Sequence, residues 1–296
     1  MIIQFSFKSA ESSATMTRRG WQRVGSRRRS TVGGVTSGLT ENAATSSTPG
    51  RVFTSSRRVR LGDVSPGGRL RLDAILRYLQ DVGDDDTIDA GLVDAVGWVV
   101  RRTVLSVTRF PIYQELLAIA TWCSGLGGRW AERSTSLVGE HGGLVDSATI
   151  WVHVDPQTLR AIPLPASFAR IYGPSAAGRK VSAKLSHGSV PVGAMSIDWA
   201  LRFADYDVMG HVNNAVVAEL VEEQLSRLRL LRAPMTATFE YRAEVPPMAS
   251  VRATLLDRVA VADRGGCGLW LSDAEGKILA SADVSNNAPT SHDVQT

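Results

Sequence analysis

The residues best suited to chemistry lie in one short run of this sequence, DYDVMGHVNN at positions 205–214. Within this run Asp207 precedes His211 by four positions, and two asparagines follow. Apolar residues at helical spacing then predict a long helix over about 213–232. Because backbone amides at a helix start carry partial positive charge, a carbonyl oxygen placed there would be polarised as it became an oxyanion.

These side chains have both a catalytic and a structural interpretation. Asp207 could hold and deprotonate a water molecule or attack a carbonyl carbon, and His211 could carry a proton or position a leaving group. Gly210 would let a substrate approach the backbone closely. Alternatively, Asp205 or Asn213 caps the helix and His211 is a satisfied core residue, which is the more common fate of an isolated Asp or His.

Two similar series of secondary-structure elements are predicted around this run. In the first half, a strand over 53–61 precedes a helix that carries Leu72, Ile75, Leu76 and Leu79, and strands follow over 99–110, 115–123, 130–139 and 144–154. In the second half, a strand over 197–203 and the long helix precede strands over 235–245, 250–261, 267–272 and 278–284. The pattern predicts an α+β fold in which each long helix packs on an antiparallel sheet.

The two halves also match in sequence. The RLGDVSPG run at 60–67 has a counterpart 142 positions later. In this alignment Ser65 occupies the position of Asp207, and Gly68 occupies that of His211. If the constellation is catalytic, only the second half carries the chemistry.

The net charge belongs to one end of the chain. The sequence has 33 Lys and Arg against 29 Asp and Glu, a formal charge of +4, and residues 1–50 hold seven of the basic and two of the acidic side chains. The remaining body is nearly neutral, which argues against nucleic acid as a partner. We expect a disordered basic tail at 1–50, which could also reflect a misplaced start codon, domains at 51–170 and 195–286, a linker at 171–194 and a second tail at 287–296.

Composition argues against several other classes of protein. No apolar stretch approaches the roughly 18–20 residues that a membrane helix needs. Cys123 and Cys267 are too few for a disulfide framework or a zinc cluster, so a reducing, cytoplasmic setting is expected. Five aspartates between positions 81 and 89 match no calcium-loop spacing, and we interpret them as a solvated acidic patch. Neither a metal nor a cofactor is predicted.

The motif Asp-x-x-Gly-His-Val-Asn-Asn at 207–214 resembles the hotdog-fold thioesterases. Beyond this motif, residues 53–285 resemble the acyl-ACP thioesterases of plants and bacteria, with GWVVRR at 97–102, VTRFP at 107–111, TW at 121–122 and SATIWV at 147–152 in the first half. The resemblance implies two hotdog domains in tandem, with an acyl chain buried between helix and sheet. It also implies a fatty acyl group on acyl carrier protein as substrate, and hydrolysis of that thioester in fatty acid biosynthesis and lipid metabolism.

The resemblance assigns roles to individual residues. It places the family's catalytic aspartate, histidine and glutamate at Asp207, His211 and Glu244. We expect Gly210, Val212, Asn213 and Asn214 to bind the substrate, with the amides near 210–213 as the oxyanion site. Without the resemblance, Glu244 is more simply a solvated residue, because strict alternation over 235–245 puts it on one polar face with Glu240 and Arg242.

Two positions depart from the plant enzymes. Met209 stands where they have a catalytic asparagine, and a methionine cannot hydrogen-bond a thioester carbonyl or orient a water molecule. Val245 stands where they can carry a cysteine, so a thiol nucleophile at that place is excluded. The expected mechanism is hydrolysis with Asp207 as base or nucleophile, Glu244 orienting water and His211 managing the proton.

Several alternatives stay open at this point. The same chemistry could act on acyl-CoA, or the fold could bind acyl groups without catalysis; a dehydratase fits the order of Asp and His less well. A monomer and a homodimer are both compatible with a tandem pair, and the preferred acyl chain length does not follow from the sequence. An acidic carrier protein would dock on a basic patch. The candidates are Arg57, Arg58, Arg60, Arg69 and Arg71 in the first half, and Arg227, Arg229 and Arg232 in the second.

Overall fold

The computed structural model describes residues 50–92, 97–208, 210–246, 249–261 and 264–286. The predicted basic tail, except for its last residue, and the predicted tail at 287–296 lie outside the described residues, as does Met209. The expectations for these segments stay predictions.

The described residues form two similar series of elements with one additional helix between them. The first series consists of β1 (Val52–Arg58), α1 (Leu72–Asp89), β2 (Gly97–Arg109), β3 (Leu116–Leu126), β4 (Trp130–Gly139) and β5 (Leu144–Val154), and α2 (Ala166–Ala176) follows it. The second series consists of β6 (Met195–Trp199), α3 (Val216–Arg227), β7 (Met235–Tyr241), β8 (Val251–Val261), β9 (Arg264–Ser272) and β10 (Ile278–Ser285). The predicted α+β fold is confirmed.

The ten described strands join in one antiparallel sheet, in the order β1-β3-β4-β5-β2-β7-β10-β9-β8-β6. This order reads the same from either edge when each strand is replaced by its counterpart in the other half. The halves meet where β2 pairs with β7, over residues 102–107 and 235–240. Two equivalent sheets are therefore joined edge to edge about an approximate twofold axis.

The long helices α1 and α3 contact each other on one face of this sheet. All the apolar residues that predict α1 are buried, and α3 buries its own stripe: Leu72, Ile75, Leu76 and Leu79, and Val216, Val217, Val221 and Leu225. Burying one such side chain fully contributes about 1.5–3 kcal/mol. These contacts hold both helices on the sheet and fix where their first turns lie.

The helix α2 was not predicted, and it corrects the linker boundary. Residues 171–176, which the sequence assigned to the linker, complete this helix. The segment contains Pro174 and has no clear apolar period, so its own propensity is weak. Aromatic packing stabilises it instead, because the Phe168 ring lies 4.9 Å from Trp98 and 4.8 Å from Tyr172.

The rest of the predicted linker, residues 177–194, crosses the sheet on the face opposite the long helices. We call it the crossing segment. The Glu240 carboxylate accepts hydrogen bonds from the Ser186 N–H and hydroxyl and from the His187 N–H, at 2.5, 2.9 and 3.1 Å. Burial opposes the change, but these bonds lower the pKa of Glu240 below its ordinary value. Glu240 is fully buried, so the prediction of a solvated face is wrong at this residue.

The acidic stretch of α1 is also not wholly solvated, which corrects a second prediction. Asp86 is buried and is bonded by Arg51, Arg133 and the Tyr172 hydroxyl. Helical spacing explains its position, because Asp86 follows the buried Val82 by four residues and therefore faces the core. The Asp86 carboxylate offsets the cost of burying the Arg133 guanidinium in the first half.

Candidate active site

The run around Asp207 folds as a tight turn that brings Asp207 and His211 together. The Asp207 N–H donates to the His211 carbonyl at 2.9 Å, and the Gly210 N–H donates to the Asp207 carbonyl at 3.0 Å. Gly210 has a φ of +74°, where other residues are strained. A Cβ added at Gly210 would meet no atom within 4 Å, so the turn requires glycine for its conformation and not for lack of room.

Asp205 and Asn213 hold this turn in place. The buried Asp205 carboxylate accepts hydrogen bonds from the Arg202 N–H at 2.7 Å and from its Nε at 2.8 Å. Its carbonyl accepts one from the Asn213 N–H at 2.8 Å. The Asn213 side-chain oxygen accepts one from the Ala215 N–H at 2.8 Å, immediately before α3. The structural interpretation therefore applies to these two residues.

Glu244 reaches the turn because β7 ends earlier than predicted. The strand stops at Tyr241, not at 245. The N–H groups of Arg242 and Ala243 both donate to the Leu279 carbonyl, at 2.8 and 3.1 Å. Two successive amides on one acceptor interrupt the alternation of sides, as in a β-bulge.

The interruption puts Glu244 beside His211 instead of on the face of Glu240. The Nε2 atom of His211 lies 3.1 Å from the Oε2 atom of Glu244, within ion-pair distance but without the alignment of a hydrogen bond. The Val212 N–H donates to the Val245 carbonyl at 3.2 Å and ties the two segments together. The His211 and Glu244 side chains are 20% and 36% exposed, so a substrate can reach them.

The backbone amides predicted to form the oxyanion site are mostly engaged, which corrects that part of the prediction. The N–H groups of Gly210, Val212 and Asn213 each donate to a carbonyl of the turn or of the segment beside it. The fourth predicted residue, Asn214, differs from them. Its side-chain Nδ2 is buried and has no hydrogen-bond partner among the described residues.

Asn214 also borders a cavity that starts behind the turn and runs into the first half; we call it the near cavity. Its lining consists of Leu76, Leu79, Gln80, Val100, Thr103, Arg133, Thr135, Thr149, Trp151, Asn214 and Tyr241. The Tyr241 hydroxyl donates to the Asn214 carbonyl at 3.1 Å, and Gln80 Nε2 lies 3.5 Å from the Asn213 side-chain oxygen. The turn that bears Asp207 and His211 belongs to one half, whereas the lining of the near cavity belongs mainly to the other.

Sequence reasoning missed the residues that connect the turn to this cavity. Gln80 carried a usable signal, because it is a polar residue four positions after Leu76 on the core-facing side of α1. Tyr241 gave no such signal, since an aromatic residue on the apolar face of a strand is ordinary core. Only the approach of α1 to the start of α3 reveals the role of either side chain.

The first half contains the same turn with different side chains. The Ser65 N–H donates to the Arg69 carbonyl at 2.9 Å, the Gly68 N–H donates to the Ser65 carbonyl at 2.8 Å, and Gly68 has a φ of +78°. Gly68 is thus the counterpart of Gly210. Arg69, not Gly68, is the counterpart of His211, which corrects the predicted alignment by one residue.

A carboxylate from α3 closes the helix start in the first half. The Leu72 N–H donates to Oε2 of Glu222 at 2.8 Å, and Oε1 of Glu222 pairs with Arg69 at 3.0 Å. Leu72 and Glu222 stand at the same offset of 142 from Asn214 and Gln80. The residue opposite the second helix start is therefore an uncharged amide, where the first has a carboxylate.

Thiol and metal chemistry find no support in the described part of the chain. Burial raises the pKa of Cys123 to about 11 and that of Cys267 to about 12, so both thiols stay protonated near neutral pH. Within the described ranges, no group of three or more His, Cys, Asp and Glu residues is placed to hold a metal ion. None of the helices found there is both long and apolar enough to cross a membrane.

The first predicted docking patch is largely neutralised. Its ion pairs are Arg57 with Asp81, Arg58 with Glu140, Arg69 with Glu222 and Arg71 with Asp73. Paired arginines attract an acidic partner less than free ones do. This arrangement weakens the first patch as a surface for a carrier protein.

Comparison with known proteins identifies the family. Residues 50–172 match the model of the acyl-ACP thioesterase N-terminal domain, and residues 194–285 match that of the C-terminal domain. Uncharacterized protein Rv2001 of Mycobacterium tuberculosis is 28% identical over 197 residues, which cover 66% of this chain and 79% of that protein. The chloroplastic acyl-[acyl-carrier-protein] hydrolase FATB2 of Cuphea viscosissima is 22% identical over 240 residues, 74% of this chain and 57% of the relative.

The fold agrees with a solved structure as well. The 12:0-ACP thioesterase from Umbellularia californica superposes with a TM-score of 0.65 at 20% identity, over 79% of this chain and 96% of that chain. Both domain models match in the order that the two halves follow along the sequence. The chain therefore belongs to the acyl-ACP thioesterase family.

Proposed function

We propose that this protein is a thioesterase that hydrolyses fatty acyl-ACP to a free fatty acid and the carrier thiol. The observation that carries the proposal is the contact of His211 with Glu244 beside Asp207, on the turn that leads to Asn214, which lines an internal cavity. Family membership supports the substrate class. The release of a free fatty acid would make this a terminating step of fatty acid synthesis.

The chemistry needs a base, a proton donor and a donor to the carbonyl oxygen. Asp207 takes a proton from a water molecule, whose oxygen bonds to the acyl carbon as the carbon–sulfur bond breaks. His211 gives a proton to the departing thiolate, and Glu244 stabilises the charged imidazole and orients it. The mechanism uses no cysteine nucleophile, because position 245 is a valine and the thiols of Cys123 and Cys267 stay protonated.

The carbonyl oxygen is best received at Asn214. Its Nδ2 lacks a partner among the described residues. At its counterpart Leu72, the backbone N–H binds a carboxylate oxygen of Glu222 at 2.8 Å, so the corresponding helix start holds an oxygen in the first half. A donor placed there stabilises negative charge that develops in the transition state.

A carrier comparison tests this proposal. One acyl chain is attached to acyl carrier protein and to coenzyme A, and thiol release is measured with the wild-type protein, Asp207→Asn and Asp198→Asn. Asp198 is 92% exposed in its side chain and serves as the matched control. We expect faster turnover on the carrier protein, a loss of about 10²-fold or more for Asp207→Asn and no change for the control.

Two other outcomes would contradict the proposal in different ways. Faster turnover on the coenzyme A substrate would identify an acyl-CoA thioesterase. Tight binding of acyl chains by folded wild-type protein without thiol release would identify a non-catalytic acyl-binding protein.

A further inference from the structure

The first half contains a second cavity, farther from the catalytic turn, which we call the distal cavity. It is lined by Gly83, Thr87, Leu92, Trp98, Cys123, Ala131, Glu132, Arg133, Trp151, Pro165, Ser167, Phe168 and Tyr172. Among the described residues, this lining and that of the near cavity have only Arg133 and Trp151 in common. Arg133 and Trp151 therefore border both cavities.

The sheet register explains why these two residues stand together. On paired strands β4 and β5, Ala131 lies opposite Trp151 and Arg133 lies opposite Thr149. Alternate residues share a face, so Arg133 and Trp151 are diagonal neighbours on the side that bears α1. At that spacing two long side chains can fill the width between the sheet and the helix.

The two members of this pair are held very differently. Arg133 is bonded to the buried Asp86, and its guanidinium lies 5.5 Å from the centre of the Tyr172 ring. Trp151 is 9% exposed, and its indole Nε1 has no hydrogen-bond partner among the described residues. Polar contacts therefore hold the Arg133 side chain in place, whereas packing alone holds the Trp151 indole.

We propose that Arg133 and Trp151 form a partition that sets the length of the acyl chain the enzyme accepts. The inference rests on the proposed function and adds the position at which the chain must stop. An acyl chain whose carbonyl lies at Asn214 extends between Leu76 and Leu79 and ends against the indole. A longer chain would have to displace Trp151 or press its methyl end against a paired guanidinium, and both cost binding free energy.

Removing the indole should join the two cavities. The distal cavity offers apolar walls, including Trp98 and Phe168, that can take the extra methylenes. We expect Trp151→Ala to shift the preferred substrate to a longer chain and to raise the ratio of kcat/KM for long over short chains by about tenfold or more. Trp151→Phe should give a smaller shift in the same direction.

A larger side chain in the distal cavity distinguishes this mechanism from a general loosening of the core. Ala131 lines the distal cavity but not the near one. Ala131→Leu alone should leave the chain-length profile of the wild-type protein unchanged, because its substrates do not pass the partition. In combination with Trp151→Ala it should restore the shorter preference.

A matched control comes from the other half. Trp270 is as buried as Trp151, at 9% exposure, but it lines neither cavity, and its Nε1 donates to the Gly188 carbonyl. Trp270→Phe should therefore leave the chain-length profile unchanged. Thermal unfolding of each variant reports any loss of stability separately.

The experiment measures kcat/KM on acyl-ACPs of increasing chain length, and the affinity for free fatty acids of the same lengths by calorimetry. An unchanged profile in an active, folded Trp151→Ala protein would overturn the partition and leave the proposed function intact. If the wild-type protein hydrolyses none of the substrates, the proposed function fails. The calorimetric length preference and its shift in Trp151→Ala then still decide the partition.

Discussion

The two turns at the helix starts share one backbone but have opposite contents. In the second half His211 contacts the Glu244 carboxylate at 3.1 Å. In the first half the Arg69 guanidinium lies 4.7 Å from the centre of the Phe110 ring and pairs with Glu222. The same fold thus supports an open turn with an acid and a base, and a closed one in which charge is satisfied internally.

Under the proposed function, this contrast assigns catalysis to one half of a duplicated fold and stability to the other. The first turn uses the anion-binding character of a helix start to receive a carboxylate from its own chain, and so ties α1 to α3. The second has an amide, Gln80, where the first has that carboxylate. We therefore expect the helix start beside Asn214 to receive the oxygen of a substrate.

The largest expected effect comes from the proton donor of the open turn. His211→Ala should lower kcat by about 10²-fold or more, because it removes the imidazole that we propose gives the proton to the thiolate. Glu244→Gln should cost less, about tenfold, since it only weakens the charged form of the imidazole. Steady-state hydrolysis of acyl-ACP measures both, and Ser65→Ala in the closed turn is the control. Equal losses for Glu244→Gln and Ser65→Ala would remove Glu244 from the mechanism.

A smaller effect is expected when the open turn receives a carboxylate like the one that Glu222 supplies to the closed turn. Gln80→Glu places a carboxylate opposite the start of α3, where it would compete with the substrate oxygen and repel negative charge. We expect kcat/KM to fall by about tenfold. Gln80→Met, which removes the amide without adding charge, should cost less. A Gln80→Glu protein as active as Gln80→Met would show that a carboxylate opposite the start of α3 does not affect catalysis.

Removing the carboxylate from the closed turn should change stability and leave turnover unchanged. Glu222→Gln removes the ion pair with the partly buried Arg69, and we expect the free energy of unfolding to fall by about 1–3 kcal/mol while kcat stays unchanged. Urea denaturation measures the difference. The neighbouring Glu223→Gln breaks only the exposed pair with Arg227 and should change stability by less than about 1 kcal/mol. Equal effects of the two substitutions would contradict a sealing role for Glu222.

The smallest expected effect is none at all. Transferring the acid and base with Ser65→Asp and Arg69→His, in an Asp207→Asn background, should restore no hydrolysis, because Glu222 still occupies the helix start and Phe110 stands where Glu244 would be needed. Thiol release over a long incubation is the sensitive measurement. Recovered activity in this variant would show that the side chains of the turn suffice without the rest of the site.

Much of the fold follows from periodicity, and the exceptions have local causes. The apolar stripe of α1 and most of the strand runs appear in the structure near their predicted bounds, whereas β6 and β7 each end four residues early. The helix α2 was missed because aromatic packing of Phe168 and Tyr172, and not an apolar period, stabilises it. Glu240 was assigned to solvent because alternation reports which face a residue is on, but not what covers that face.

The sequence by itself determined the pairing of Asp207 with His211, because a four-residue separation closed by a glycine at φ +74° is a property of the local chain. Only the tertiary structure decided the rest of the site. The register break at Leu279 turns Glu244 toward His211, and the approach of α1 brings Gln80 and the near cavity to Asn214. The physical reason is the separation of the contacting residues along the sequence. Neighbouring residues constrain a turn, whereas contacts between distant segments depend on how the two halves of the sheet and their helices pack.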